Sequence, residues 1–162
     1  MTAAGKYNLT VSDGLTAQFG LGDEIMVKGA RYKYVQASGA VAAYACCHIT
    51  AAGLAIEVTT TLMGTVARPT GLCVPQFALA TLEYGWAAIG PFRIREDGTT
   101  TFKVLAANAA TSVRLYTTGT AGVLDDAVTT GLIAGLALTE TVTTQEAADC
   151  VAATRLVSFC EL

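Results

Sequence analysis

Val113-Arg114-Leu115-Tyr116-Thr117-Thr118-Gly119-Thr120-Ala121-Gly122-Val123-Leu124-Asp125-Asp126 is the stretch on which the fold turns. Alternation sets Val113, Leu115 and Thr117 on one side and Arg114, Tyr116 and Thr118 on the other, which predicts a strand. Gly119 and Gly122 then predict a turn, followed by a polar exit. The pattern occurs twice. Tyr44-Ala45-Cys46-Cys47-His48-Ile49-Thr50-Ala51-Ala52-Gly53-Leu54 overlays it without a gap, Gly53 falling on Gly122 at an offset of about 69. Threonines follow each copy, at 59–61 and at Thr129-Thr130, and then come Leu62-Met63-Gly64-Thr65-Val66-Ala67 and Leu132-Ile133-Ala134-Gly135-Leu136-Ala137. A weakly duplicated β unit is expected, with no catalytic signature in either copy.

Two hairpins are expected around these copies. Glu24-Ile25-Met26-Val27-Lys28 and Arg31-Tyr32-Lys33-Tyr34-Val35 flank Gly29-Ala30, and glycine first in a two-residue loop favours a type II′ turn. That register sets Val27 opposite Tyr32 and Ile25 opposite Tyr34, with Lys28, Arg31 and Lys33 on the wet face. In the second hairpin, Phe92 and Ile94 alternate with Arg93 and Arg95, and Phe102 and Val104 with Thr101 and Lys103. A two-residue Asp97-Gly98 loop would mix its faces, so the register selects Glu96-Asp97-Gly98 with a G1 bulge.

The remaining segments are less regular. Ala40 to Ala43, and 106–112 before the second copy, predict short helical turns. The strand after the first copy is expected to end near Arg68-Pro69, ahead of a loop holding Gly71 and Pro75. Phe77-Ala78-Leu79-Ala80 fits either a strand or a helical turn. Thr143-Thr144-Gln145-Glu146 has capping-box spacing ahead of one or two helical turns, and Arg155 to Phe159 reads as a closing strand. The fold class expected is mainly β, a small antiparallel barrel or sandwich. Residues 1–20 read as a flexible N-terminal arm and residues 21–162 as a single β-rich domain.

At 162 residues the chain suffices for one core. Charged residues make up 14%, against about a quarter in ordinary soluble proteins, while hydrophobic residues reach 52%, much of it alanine. A surface of Ala, Thr and Gly suits a protein packed against others, and also fits a small-residue-rich globular domain. The net charge of −3 and the lack of basic runs argue against nucleic-acid binding. No apolar run reaches the roughly 18 residues that span a bilayer, and the start has no signal-peptide pattern, so a cytosolic setting is expected.

Catalytic and metal chemistry find little support in the residue pattern. Cys46 and His48, the sole histidine, share a strand face about 6.6 Å apart, but no third member orients them. Adjacent Cys46 and Cys47 point to opposite faces, and Cys73, Cys150 and Cys160 lack zinc spacing, so reduced and mostly buried thiols are expected. Asp23-Glu24, Glu96-Asp97 and Asp125-Asp126 lie in turn-like contexts, and no phosphate-binding glycine motif occurs. Neither a catalytic residue, a cofactor nor a metal is expected. The basic strand faces, Arg31 with Lys33 and Arg93 with Arg95 and Lys103, are either ordinary solvated faces or a docking surface for an acidic protein.

Tyr34-Val35-Gln36-Ala37-Ser38-Gly39-Ala40, Tyr84-Gly85-Trp86 and 115–126 together resemble the capsid-decorating, or cement, proteins of tailed bacteriophages, particularly phages of aquatic bacteria. These small virion proteins are encoded beside the major capsid protein. The resemblance spans roughly residues 22–138 and departs at Cys46-Cys47-His48 and in the Ala- and Thr-rich tail after Thr139. The lambda decoration protein is a functional analogue whose motifs are not found here.

The resemblance implies a structural, non-enzymatic protein on the outer surface of the phage head, assembled in the host cytoplasm. Its implied partners are the major capsid protein and two further copies of itself at local threefold positions, where it holds the expanded shell against internal DNA pressure. The alternative is another virion component, such as a head-fibre base or tail accessory protein. On the first reading Arg31, Lys33, Arg93, Arg95 and Lys103 are the candidate capsid contacts, and Tyr32, Tyr34, Trp86 and Phe92 lie in or beside the core. The arm would order on the capsid, so deleting residues 1–18 is expected to weaken attachment and spare the fold.

Overall fold

The computed structural model describes residues 7–65, 71–90, 102–110, 113–128, 131–133, 136, 138, 141–143 and 152–153. The chain is mainly β, as expected. Its elements are β1 (Glu24–Val27), β2 (Ala30–Ala37), β3 (Cys47–Ile49), β4 (Leu54–Glu57), α1 (Thr60–Thr65), β5 (Leu72–Pro75), β6 (Tyr84–Ile89), β7 (Phe102–Lys103), β8 (Leu115–Thr117), β9 (Leu124–Asp125), β10 (Leu132–Ile133) and β11 (Ala152–Ala153).

The first six strands form one sheet in the order β1-β2-β4-β3-β5-β6, and β6 also pairs with β2. That last pairing, Tyr32↔Ala88 through Gln36↔Tyr84, closes β2, β4, β3, β5 and β6 into a five-stranded ring with β1 appended to β2. All pairings in the ring are antiparallel except β2 with β4, which run parallel at Gln36↔Leu54 and Ala37↔Ala55.

A ring of five strands is narrow, so small side chains fill its middle, with Ile49 and Ile89 at its end. Val35, Ala37, Cys47, Ala55, Cys73 and Ala87 fill it, closed by Phe77 and Leu79. At Gly85 a β-carbon would lie 2.8 Å from Phe77 Cζ, closer than atoms pack. Alternation sends the large residues outward, where Tyr32, Tyr34, Val74 and Trp86 form a second core with Leu115, Leu124, Ile133, Leu136 and Leu138 from the C-terminal half. Burying each large apolar side chain there contributes about 1.5–3 kcal/mol.

The duplication is visible in the topology. β3 lies between β4 and β5, and β8 lies between β9 and β10, so each copy is a hairpin whose third strand returns to the open edge of the first. Gly53 and Gly122 both adopt left-handed backbone, φ 80° and 73°. The loops differ by one residue, 50–54 between Ile49↔Ala55 and 118–123 between Thr117↔Leu124. Leu115 and Thr117 are buried and Arg114 is exposed, as the alternation predicts, but Val113, expected on the side of Leu115, is exposed because it lies ahead of the paired strand.

The second copy locks onto the first through Gly122. Val58 donates its N–H to the Cys46 carbonyl (3.0 Å), but the return bond is replaced by a relay. Cys46 N–H goes to the Gly122 carbonyl (2.8 Å) and Gly122 N–H to the Val58 carbonyl (2.9 Å). A β-carbon on Gly122 would meet Ala45 Cβ at 2.6 Å, so no other residue fits. Thr60 Oγ1, 3.1 Å from Thr117 Oγ1, also donates to the Thr118 carbonyl, and Leu105 N–H donates to the Tyr44 carbonyl.

Several expectations are corrected. The first hairpin turns on Lys28-Gly29, both with positive φ (50° and 78°), which is the type I′ pattern. Ile25 therefore faces Tyr32 and Val27 faces Ala30, a two-residue shift that preserves the faces. Thr60–Thr65 is helix, running into the start of the strand expected at 64–67, whose remainder lies outside the described residues; it is started by Thr59, whose Oγ1 accepts the Leu62 N–H at 3.0 Å. Leu72–Pro75 is a strand rather than a loop. Pro75 ends it and gives its carbonyl to Tyr44 N–H.

Ala40 to Ala43 and the described residues 106–110 form no helical turns, being too short to nucleate one. Val41 and Leu79 exchange both backbone bonds, Ala107 donates to Leu124, and Ala109 pairs with Val142. Phe77 to Ala80 is likewise not helical, Leu79 serving as the bridge. Most of the Phe92–Val104 hairpin, the helical turns after Thr143 and the Arg155–Phe159 strand lie outside the described residues.

Residues 7–20, expected as an arm, lie on the sheet. Tyr7 meets Trp86 edge-on (centroids 5.4 Å), and Phe19 packs on Trp86 (5.0 Å) and Tyr34 (5.3 Å). Tyr34 donates its hydroxyl to Asp13 Oδ2 (2.8 Å) and accepts the Gln18 N–H, while Asp13 and Gly14 bond the Tyr84 backbone. Deleting residues 1–18 would strip the Tyr7, Asp13, Gly14 and Gln18 contacts and leave only Phe19 on Trp86 and Tyr34.

Candidate functional site

β1 and β2 present one wet face, and its composition follows from the register. Glu24 faces Lys33, and Met26 faces Arg31. Glu24 accepts from Arg31 Nη2 at 2.6 Å and pairs with Lys33 Nζ at 2.9 Å. Bonding to Lys33 first and Arg31 second holds the Glu24 carboxyl below its ordinary pKa. Two cations against one carboxylate leave one positive charge over. Met26 stands beside them with 69% of its surface in water. Arg31 Nη1 also donates to the Gly90 carbonyl (3.4 Å), tying this face to the end of β6.

Lys33 continues the inward-facing series of Val35 and Ala37, so it stands at the mouth of the ring. There it borders a recess of about 290 Å³ lined by Leu21, Gly22, Ile49, Thr50 and Gly53 among others. Apart from Lys33, already paired, the recess offers no charged group.

The five expected contact residues do not form one group in the described structure. Arg31 and Lys33 come together. Lys103 sits elsewhere, its Nζ 5.5 Å from the centre of the Tyr44 ring. Its backbone is clamped by Gln76, whose Oε1 accepts the Lys103 N–H (2.9 Å) and whose Nε2 donates to the Lys103 carbonyl. Arg93 and Arg95 lie outside the described residues. Sequence reasoning missed Glu24 and Met26 on this face, although the period of two between them was the available signal.

The cysteine and histidine cluster has the opposite of nucleophile activation. Cys46 is buried in the outer core and Cys47 in the ring interior, on opposite faces as expected. Burial pushes the Cys46 thiol far above its ordinary range, and the Cys73 side chain and then burial do so for Cys47. His48 is 7% exposed, with Nδ1 lacking a hydrogen-bond partner, and desolvation lowers its pKa.

The carboxylate pairs serve turns. Asp23 Oδ2 accepts from Gly20 N–H, Asp125 Oδ1 from Asp126 N–H and Asp126 Oδ2 from Ala110 N–H. Glu96-Asp97 lies outside the described residues. Among the described residues no group of His, Cys, Asp and Glu is placed to hold a metal ion, and no helix is long and apolar enough to cross a membrane. Comparison with known proteins returns nothing: no family model matches, and no curated protein or solved structure does.

Proposed function

We propose that the chain is a structural protein of a tailed bacteriophage particle. It binds the outside of the expanded head as a trimer and reinforces the seams between capsid subunits, without chemistry of its own. The observation that carries the reading is the wet face of β1 and β2, where exposed Met26 adjoins Arg31 and Lys33 with a net positive charge. An apolar side chain ringed by cations suits an acidic protein surface, through a buried centre and a charged rim. The face is carried on two paired strands, so little order need be created on binding. Exposed Leu15 and Val128 and the charge-poor composition are further support for a chain that packs against protein.

The experiment mixes the purified chain with expanded capsids stripped of decoration, pellets the particles and counts bound copies. Saturation at the number of local threefold sites is expected, with Met26→Glu reducing occupancy at least tenfold at subsaturating protein. A handful of copies per particle would assign the chain to a vertex or tail position instead. No binding would end the virion reading.

A further inference from the structure

Cys47 and Cys73 lie directly opposite each other on β3 and β5. Both are free and fully buried, and both belong to the ring interior. Two positions along the same ladder, Ile49 donates its N–H to the Gly71 carbonyl at 3.0 Å. Antiparallel pairs alternate between bonded and non-bonded types, so Cys47 and Cys73 form a bonded pair with Cα atoms about 5.5 Å apart. Disulfides span Cα separations of about 4.4–6.8 Å, most often 5.5–6 Å. The Cys73 side chain is the largest influence holding the Cys47 thiol above its ordinary range, ahead of burial, while the Cys47 thiol donates to the Ala45 carbonyl at 3.6 Å. Cys46 faces the other core and is no competitor.

We propose that Cys47 and Cys73 are a latent cross-strand staple, a dithiol under reducing conditions that closes to a disulfide inside the ring when a peroxide reaches it. One sulfur attacks a peroxide oxygen, becoming a sulfenic acid and releasing water. The second sulfur displaces the sulfenic hydroxyl as another water, forming the S–S bond. Two thiol hydrogens and two electrons thus leave the protein, and one hydrogen peroxide becomes two waters. The oxidant must be small, because neither sulfur meets solvent. Scarce thiolate makes the reaction slow. The bond ties β3 to β5 around a loop containing β4 and α1, and closing it draws the β-carbons of a bonded pair inward by about 1 Å, a local shift of the two strands. The inference does not depend on the proposed virion role.

The full chain is treated with hydrogen peroxide under native conditions, unfolded with an alkylating reagent and cleaved after Glu24, Glu57 and Glu83. Cys46 and Cys47 then lie in the peptide 25–57 and Cys73 in 58–83. The expected result is a mass for these two peptides joined, seen again in Cys46→Ala and absent from Cys47→Ala. Cys46→Ala leaves Cys47 as the sole thiol of its peptide, so the map decides the matter even if Cys47→Ala fails to fold. The linked protein is expected to melt roughly 5–10 °C above the reduced one, and dithiothreitol should abolish the gain. Unlinked peptides after treatment, or a link that disappears in Cys46→Ala, would overturn the proposal.

Discussion

The two copies of the β unit share a topology and differ in what surrounds their central strands. β3 is buried at every position, since the ring interior takes one face and the outer core the other. β8 buries Leu115 and Thr117 and leaves Tyr116 half in water. The difference follows from neighbours rather than from the strands themselves. β2 and β6 close the first copy into a ring, whereas the second remains a three-stranded sheet that borrows the outside of that ring as its core. The first copy therefore supplies a wall with two useful faces, and the second a cover for one of them.

The largest test of that relation is Leu115→Ala. Leu115 is fully buried among ring residues as well as its own sheet. Its truncation is expected to cost about 3 kcal/mol. Urea unfolding followed by both tryptophan fluorescence and far-ultraviolet circular dichroism should show one shifted transition. Trp86 belongs to the ring, so a fluorescence midpoint that stays put would mean that the copies unfold separately.

Gly122→Ala attacks the seam alone. The added methyl has no room beside Ala45 and a backbone φ of 73° to contend with, so about 2 kcal/mol is expected to be lost. Gly14→Ala is the control: its φ is similar at 76°, but nothing lies within 4 Å of the new methyl. Equal losses for the two variants would show that the seam is not tight.

The smallest effect belongs outside both units, at Glu24. Its pairing with Lys33 and Arg31 lies at the surface, so Glu24→Gln should cost less than about 1 kcal/mol and less still in high salt. Because the folded-state pKa is lowered, the stabilisation is present above the ordinary value of 4.5 and is lost as pH falls below it. Wild type and variant should therefore converge in acid. A gap that persists at pH 2 would mean that Glu24 acts through packing.

Much of this was legible in the sequence because it is local. Alternation at 115–117 gave the buried side of β8, although it misplaced Val113, and Gly53 and Gly122 marked the turns of both copies. The faces of the first hairpin survive even a two-residue error in register, since a shift of two keeps every side chain on its side. What failed depends on distant partners. Nothing near Pro75 says that Ala87 will pair with it, and nothing in Ala40 to Ala43 says that Leu79 will take the Val41 backbone. The threonines of α1 favour strand by propensity, and only the cap at Thr59 argued otherwise. On the candidate contact face, the cations were readable but their shared carboxylate was overlooked, and with it the apolar centre at Met26.

The Gly122 relay also bears on the order in which the molecule can be completed. During synthesis the ring strands, through Ile89, emerge well before Gly122 does, so the ring can pair while Cys46 N–H and the Val58 carbonyl still await their partner. Over that interval Tyr32, Tyr34 and Trp86 have no cover from Leu115, Leu124 or Ile133. Contacts so far apart along the chain form slowly, and an aromatic wall covered only by Tyr7 and Phe19 is a surface on which nascent chains stick to one another. A chain released through Ile89 but not yet through Ile133 is therefore an adhesive half-molecule, and docking of the second copy ends that vulnerability.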